Sequence, residues 1–442
     1  MKRVRIGAGA GFSGDRIEPA VELAERGELD FLSFECLAER TIALAQAARL
    51  RDPAQGFDPL LERRLEAVLP AARANGVRVV TNMGAANPLG AVQAAAQVAR
   101  RLGLKGLRIA AVSGDDVMPA FAAGLCEHSA DVASIAEEGR VLSANAYLGV
   151  APIVEALGLG ADVIITGRVA DPALFLAPLV HAFGWDLDDW DRLGKGTAVG
   201  HLLECAGQVT GGYFADPGIC DVPDLARLGF PLAEVDAAGN ALISKVAGTG
   251  GRVTPATCKQ QLFYEVFDPA VYVQPDVIAD FTQVRFDEVG PDAVAMSGAT
   301  GRAGPPGLKI SLGYEDGYIG EGQISYAGPG AVARGRLALE IVRQRLQLTG
   351  VAIEELDLSL VGIDAVSRVA SGVEPGEVRA RVAGRTRDVA AATQIGFEVE
   401  ALYTNGPAGG GGVQRSVRKV IAVASTMIER GLVTPNVTVE EV

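Results

Sequence analysis

The chain has 442 residues, 49% of them hydrophobic, with 55 glycines, few aromatics and a formal charge of −14. That length allows two or three domains around a large buried core, and the acidic balance argues against sequence-independent nucleic-acid binding, which needs lysine and arginine on phosphates. No apolar run approaches the roughly 18 residues of a membrane span, the start Met1-Lys2-Arg3-Val4-Arg5-Ile6 lacks the apolar core of a signal peptide, and the five cysteines (36, 126, 205, 220 and 258) form no Cys-x-x-Cys pair. These features predict a cytoplasmic protein with reduced thiols and no disulfide framework.

In chain order, the first half predicts repeated strand–turn–helix units. Val4-Arg5-Ile6 is a short strand, followed by glycines and a helix over 17–26. A strand over 30–35 leads into a helical stretch carrying Leu37, Ile42, Leu44 and Ala47. Strands over 77–82, 107–112 and 163–166 follow, with a helix over 91–101. Apolar strands alternating with amphipathic helices predict an α/β fold whose mostly parallel sheet is flanked by helices on both faces. Ligands on such sheets bind outside the C-terminal ends of the strands, so those loops are where a site is expected.

Four such loops carry candidates. The first runs from Gly7 to Arg16 and contains Ser13, Asp15 and Arg16. Its Gly9, Gly11 and Gly14 match G-x-G-x-x-G, and Glu35 ends the next strand about 20 residues on, where a ribose-binding acid would stand. Dinucleotide binding, another ligand loop and a plain tight turn all remain open for it. The second loop holds Asn82 and Asn87, as ligand-binding amides or as turn and cap residues. In the third, Gly167 separates a strand from Arg168, with Asp171 close behind. Arg168 either receives a carboxylate or phosphate or forms a structural pair with Asp171. In the fourth, His201 and Glu204 fall at i and i+3 of a helix and share a face, which suits proton handling or a purely structural contact. The three histidines (128, 181 and 201) form no metal-binding array, so the sequence carries no metal signature. No G-x-S-x-G elbow is present.

Near residue 240 the texture changes. Gly250, Gly251 and Arg252 lie in a glycine-rich turn suited to an anion or to a hairpin. The segment 271–285 reads as β-like, and short strands among irregular loops are expected from 301 to 322. A helix over 331–348 follows. The Gly350–Glu355 turn is the candidate boundary between a domain over 1–350 and an α+β module over 355–442. That module is expected to have strands near 357–363, 378–382 and 397–403 and helices near 386–394 and 413–430. Gly409, Gly410, Gly411 and Gly412 close a glycine run between the last expected strand and the last helix, a seat for a phosphate or carboxylate at a helix N-terminus.

Several motifs together resemble the acyclic terpene utilisation A family. They are Gly14-Asp15-Arg16, Leu37-Ala38-Glu39-Arg40-Thr41, Ala144-Asn145-Ala146-Tyr147-Leu148-Gly149, Ile165-Thr166-Gly167-Arg168, Phe183-Gly184-Trp185, Gly200–Cys205 with Thr210-Gly211-Gly212-Tyr213-Phe214, Gly248-Thr249-Gly250-Gly251 and the 406–412 run. The resemblance covers nearly the whole chain. One departure is Asn82-Met83-Gly84-Ala85, where the family pattern is of the Asn-Ala-Gly-Gly type. The resemblance implies a large N-terminal α/β domain followed by a ferredoxin-like C-terminal module. It also implies a role in catabolism of branched acyclic terpenes through acyl-CoA intermediates, or of organic acids. The resulting expectation is a hydratase or lyase acting on a branched acyl-CoA or small carboxylate, with a CoA thioester as one candidate substrate and the cofactor left open. In it His201, Glu204 and Asp171 move protons while Arg168, Arg252 and the glycine loops hold anionic groups. A homo-oligomer is expected. Two other readings stand beside it: an NAD-dependent oxidoreductase, and a non-catalytic partner subunit of a catabolic complex.

Overall fold

The computed structural model describes residues 2–127, 129–367 and 374–442. The first five parallel-type strands are short and almost wholly buried, as expected for strands covered on both faces. They are β1 (Arg3–Ala10), β2 (Phe31–Phe34), β3 (Arg78–Thr81), β4 (Arg108–Ser113) and, beyond β5 (Val141–Ala146), β6 (Val163–Thr166). Next come β7 (Pro231–Asp236), β8 (Ala241–Lys245), β9 (Tyr272–Val273), β10 (Val277–Asp280), β11 (Arg285–Gly290), β12 (Ala293–Ser297) and β13 (Thr300–Ala303). Two long strands, β14 (Gly307–Ala327) and β17 (Gly411–Glu429), bracket β15 (Glu355–Val361) and β16 (Glu377–Thr386), and β18 (Asn436–Glu441) ends the chain.

One sheet has ten strands in the order β11-β12-β8-β7-β1-β2-β3-β6-β4-β18. Its centre, β1-β2-β3-β6-β4, is parallel throughout. Antiparallel strands extend it on both sides, β7, β8, β12 and β11 beyond β1 and β18 beyond β4. The sheet is therefore mixed, and the expectation of a mostly parallel sheet holds only for its middle. Hairpins such as β7–β8, closed by the Asp236–Asn240 turn, and β11–β12 need no crossover helix, whereas helix Pro255–Phe263 lies in the chain between β8 and β11. Proline in the first turn fixes several helix starts, including Glu18–Arg26, Pro88–Arg101 and Pro255–Phe263. Helix Ala173–Phe183 is buried from Ala173 to Val180, and the Ser33 hydroxyl donates to its Leu174 carbonyl at 2.8 Å.

The chain divides into two compact units, Met1–Gly313 with Val423–Val442, and Tyr314–Ala422. The Gly350–Glu355 turn lies inside the second unit. That unit has its own apolar core around Ile324, Tyr326, Val342, Leu360, Val382 and Ile395. Its elements run β-α-β-β-α-β: the second part of β14, helix Ala331–Leu348, β15, β16, helix Val389–Glu400 and the first part of β17, with sheet order β15-β16-β14-β17. Two expectations are overturned here. Residues 397–403 are helical, and 413–430 form most of β17, not a helix. The glycine run therefore leads into a strand, and no helix N-terminus stands behind it. All five cysteines are free. Among the described residues no helix is long and apolar enough to cross a membrane.

Candidate functional site

Adjacent parallel strands place their C-terminal ends side by side, so the loops after β1, β2, β3 and β6 meet in the first unit. The loop after β1 is anchored by an arginine the sequence did not single out. Arg64, wholly buried, donates through Nη2 to the carbonyls of Ser13 (2.8 Å) and Asp15 (3.1 Å). Asp15 turns both carboxylate oxygens inward, accepting from the Gly11 and Arg16 amides. Ser13 bonds Asp58. After β2, Glu35 accepts from the Leu37 amide (2.8 Å) and from Asn82 Nδ2 (2.9 Å), while Asn82 Oδ1 accepts from the Cys36 amide. Asn82 thus positions Glu35. Asn87 caps helix Pro88–Arg101, its Oδ1 accepting from the Gly90 amide, and takes no part in the site.

After β6, Arg168 is fully buried and gives its donors to the Leu37 and Val169 carbonyls and to Asp171 Oδ1. Its guanidinium lies 4.4 Å from the centre of the Tyr147 ring. Of the two readings of Arg168, the structural pair with Asp171 is the one formed. Glu39 accepts from the Tyr147 hydroxyl at 2.5 Å and pairs with Lys309 at 3.1 Å.

Helix Trp190–Glu204 brings in the fourth component. His201 Nδ1 stands 2.7 Å from Glu204 Oε1 and its Nε2 3.1 Å from the Leu262 carbonyl. The Tyr272 hydroxyl lies 3.2 Å from the same Nδ1, and the Tyr272 and Phe281 rings pack on the imidazole at 5.0 and 6.0 Å. Glu204 Oε2 is buried without a hydrogen-bond partner, a costly state for a carboxylate oxygen unless a proton or a ligand satisfies it.

These loops surround two cavities. The larger, about 730 Å³, is lined by Asp15, Glu35, Glu39, Asp171, Glu204 and Glu265 among apolar groups that include Phe12, Leu228 and Phe230. The smaller, about 460 Å³, is lined by Tyr147, Tyr272, Leu308 and Lys309 and shares Glu39, Asp171 and Glu265 with the larger. The shared acids make the two one cleft. Two of its wall residues, Tyr213 (φ 62°) and Glu265 (φ 61°), hold left-handed backbone despite carrying side chains, a strain that tends to gather at functional sites.

The acids of the cleft divide into two kinds. Burial pushes Glu35 up to about 8, with the Asp171 charge adding to it. Burial also raises Asp171 against the opposing Arg168 charge, and raises Glu204 to about 7 against His201. For His201 burial acts downward, but the charge and hydrogen bond of Glu204 and the Leu262 carbonyl prevail and raise it. Glu39 goes the other way. Burial alone would raise it, yet the Tyr147 hydroxyl, a backbone N–H and Lys309 hold it at about 2. Carboxyl groups forced apart in this way are the usual mark of divided acid and base roles. Among the described residues no group of His, Cys, Asp and Glu is arranged to hold a metal ion. The Cys205 thiol at the cleft wall is pushed up by burial, away from a nucleophilic thiolate.

Other expected anion contacts lie elsewhere or are already occupied. A Cβ on Gly9 would strike the Phe34 ring and one on Gly11 the Cys205 backbone, so close packing accounts for both glycines. The Gly250, Gly251 and Arg252 amides bond the Arg227, Pro223 and Thr210 carbonyls, and Arg252 Nη1 bonds the Asp221 carbonyl. Gly409, Gly410, Gly411 and Gly412 belong to the second unit, where Gly410 packs on Ile324 and Tyr326. His128 lies outside the described residues. Conversely, Glu39, Tyr147, Glu265, Tyr272 and Lys309 were missed as site residues. The signal for two of them was present, since Glu39 and Tyr147 sit in the Leu37–Thr41 and Ala144–Gly149 motifs.

Fold and site together define a mixed α/β protein with a deep, acid-lined cleft at the strand ends of its central sheet. The chain belongs to the acyclic terpene utilisation family, whose AtuA model matches residues 4–439. Membership ties it to the utilisation of acyclic terpenes, a catabolic role. No curated protein and no solved structure is significantly similar to the chain.

Proposed function

We propose that the cleft is the active site of a hydro-lyase that adds water to, or removes it from, a branched acyclic acyl group held as a free acid or thioester. The observation that carries this reading is the buried His201–Glu204 pair, with Glu204 at the cleft wall and its Oε2 unpartnered. Such chemistry needs one group to take a proton and another to give one. In the hydration direction Glu204, ionised while His201 holds the proton, accepts a proton from water as the water oxygen bonds to the β carbon. The C=C π pair moves toward the carbonyl oxygen, and Lys309, whose ammonium keeps donors beyond the one given to Glu39, is available to that developing charge. Glu35, which burial holds up to about 8 and which lines the same cavity, then gives its proton to the α carbon. The gain at Glu204 and the loss at Glu35 balance through solvent exchange. Apolar side chains on the cleft walls suit the branched chain. The acids Asp15, Glu35, Glu39, Asp171, Glu204 and Glu265 on the cavity walls outnumber the cations there, Arg16 and Lys309, so the phosphates of a CoA carrier would remain outside. The β-α-β-β-α-β order of the second unit supports the ferredoxin-like module that the resemblance implied.

The test is incubation with branched α,β-unsaturated acids and their CoA thioesters in D₂O. The expected product carries one deuterium on the α carbon, and Glu204→Gln slows its formation by roughly 10²–10⁴-fold. Undiminished turnover in that variant would remove Glu204 from the chemistry, and exchange without net hydration would redirect the reading to isomerisation.

A further inference from the structure

The two cavities carry different side chains, and the difference orients a substrate. Glu35 and Glu204 line the larger cavity and not the smaller. Lys309 lines the smaller and not the larger, and it pairs with Glu39, an acid on the walls of both. An acyl group whose carbonyl oxygen faces Lys309 while its α and β carbons face Glu35 and Glu204 therefore crosses from the smaller cavity into the larger. Whatever follows the β carbon continues into the larger one.

That cavity offers the continuation an apolar wall. Its Asp15 gives both oxygens to the Gly11 and Arg16 amides, while Phe12, Leu225, Leu228 and Phe230 present carbon. Gly207, three residues beyond Glu204, packs on two of these: a Cβ on it would lie 2.8 Å from Leu228 Cδ2 and 3.3 Å from Phe230 Cε1. Gly212 and Gly251 stand against the same leucine, where an added Cβ would lie 3.2 and 2.6 Å from its methyls. With these glycines packed against it, Leu228 has little room to retreat from a chain that reaches it.

We propose that the larger cavity is the tail pocket of the cleft and that Leu228, with Phe230, sets the length of chain accepted, while the carboxyl or thioester end lies in the smaller cavity at Lys309. The proposal rests on the roles given to Glu35, Glu204 and Lys309 in the hydro-lyase reading. The carrier of a thioester then leaves by the smaller cavity, past Tyr272, Pro275, Pro305 and Leu308.

The test uses saturated branched acids from butanoic to dodecanoic and their CoA thioesters, which offer no double bond to hydrate, titrated by calorimetry. Each methylene buried should strengthen binding about fourfold until the tail meets Leu228, after which the gain stops. Leu228→Ala should move that limit to longer chains. Leu228→Phe, whose larger ring has the cavity to enter, should move it to shorter ones. Misfolding would weaken every length in both variants and cannot produce opposite shifts. Lys309→Met should weaken the acids of all lengths about tenfold or more without moving the limit. A limit that moves with Met427→Ala, in the smaller cavity, and not with the Leu228 variants would overturn the proposal. So would affinity lost with Arg16→Met and kept with Lys309→Met, or no binding by either series. Binding as expected without hydration of the unsaturated counterparts would count against the hydro-lyase reading alone, while hydration with a limit set by Met427 would count against this inference alone.

Discussion

Glu35 and Glu39 stand four residues apart, Glu35 after β2 and Glu39 opening the helix Glu39–Arg51, yet one is held at about 8 and the other at about 2. The difference lies in the partners. Glu35 receives two neutral N–H donors deep in the protein, whereas Glu39 receives a phenol and an ammonium. The raised group has a consequence for stability. Its folded pKa exceeds its unfolded value, so the folded state holds more protons between about 4.5 and 8. The associated stability is fully present below the lower limit and is lost as pH rises through the upper one. Glu35→Gln keeps an acceptor oxygen for Leu37 and Asn82 but cannot ionise. It should match wild type in melting temperature near pH 5, exceed it near pH 8, and flatten the pH dependence between; a variant that melts lower at both values would contradict this. For Glu39 the expectation reverses. Tyr147→Phe removes a hydrogen bond to the carboxylate, so the Glu39 titration should rise, as followed by carboxyl NMR. The i, i+3 spacing of His201 and Glu204 was visible in the sequence because one helix carries both. Tyr272 and Lys309 were not, because only the tertiary fold brings them to the cleft.

At the scale of elements, helix Trp190–Glu204 shows why the proton-handling pair sits where it does. Its glycines form contacts that a side chain would prevent. A Cβ on Gly194 would lie 2.1 Å from the Thr300 carbonyl oxygen, and one on Gly200 would lie 2.7 Å from that of Pro172. Alanine favours a helix interior over glycine by about 1 kcal/mol, so the sign of Gly194→Ala depends on whether that contact can relax. A backbone atom at 2.1 Å leaves little room, and the variant should lose about 1–3 kcal/mol in urea unfolding. Gly158→Ala, in open space at the end of helix Ala151–Gly158, is the control and should be neutral or stabilising. Where sequence reading failed on elements, two patterns competed. Phe397-Glu398-Val399-Glu400 alternates like a strand. Yet Ile395, Val399 and Leu402 are buried in the second core at helical spacing, and that face decided the outcome. Along 413–430 the apolar residues also fit a helical period. The dense β-branching of Val413, Val417, Val420, Ile421 and Val423 was the better guide, since such side chains favour a pleated surface. Ala85 shows a smaller trace of the same kind, left-handed at φ 45° where the family pattern has glycine.

For the whole molecule, the central parallel strands and their end loops were legible because continuous burial leaves a plain apolar signature, and the rule for ligand sites on such sheets then pointed to the edge where the two cavities lie. The division of the chain was harder to read. Its limits, Gly313–Tyr314 and Ala422–Val423, fall inside two long strands, and no turn or change of composition marks either. The division still makes a prediction, because the two apolar cores share no residue and separate cores can unfold as separate transitions. Both tryptophans, Trp185 and Trp190, lie in the first unit, so tryptophan fluorescence reports that unit while calorimetry reports both. A ligand that occupies the cleft binds within the first unit and stabilises it by RT ln(1 + [L]/Kd), about 2.7 kcal/mol at a hundredfold excess over Kd. The fluorescence transition should then rise with ligand while a second calorimetric transition stays in place. A single transition, seen alike by both methods and moving as one, would mean that the two cores melt as one cooperative body.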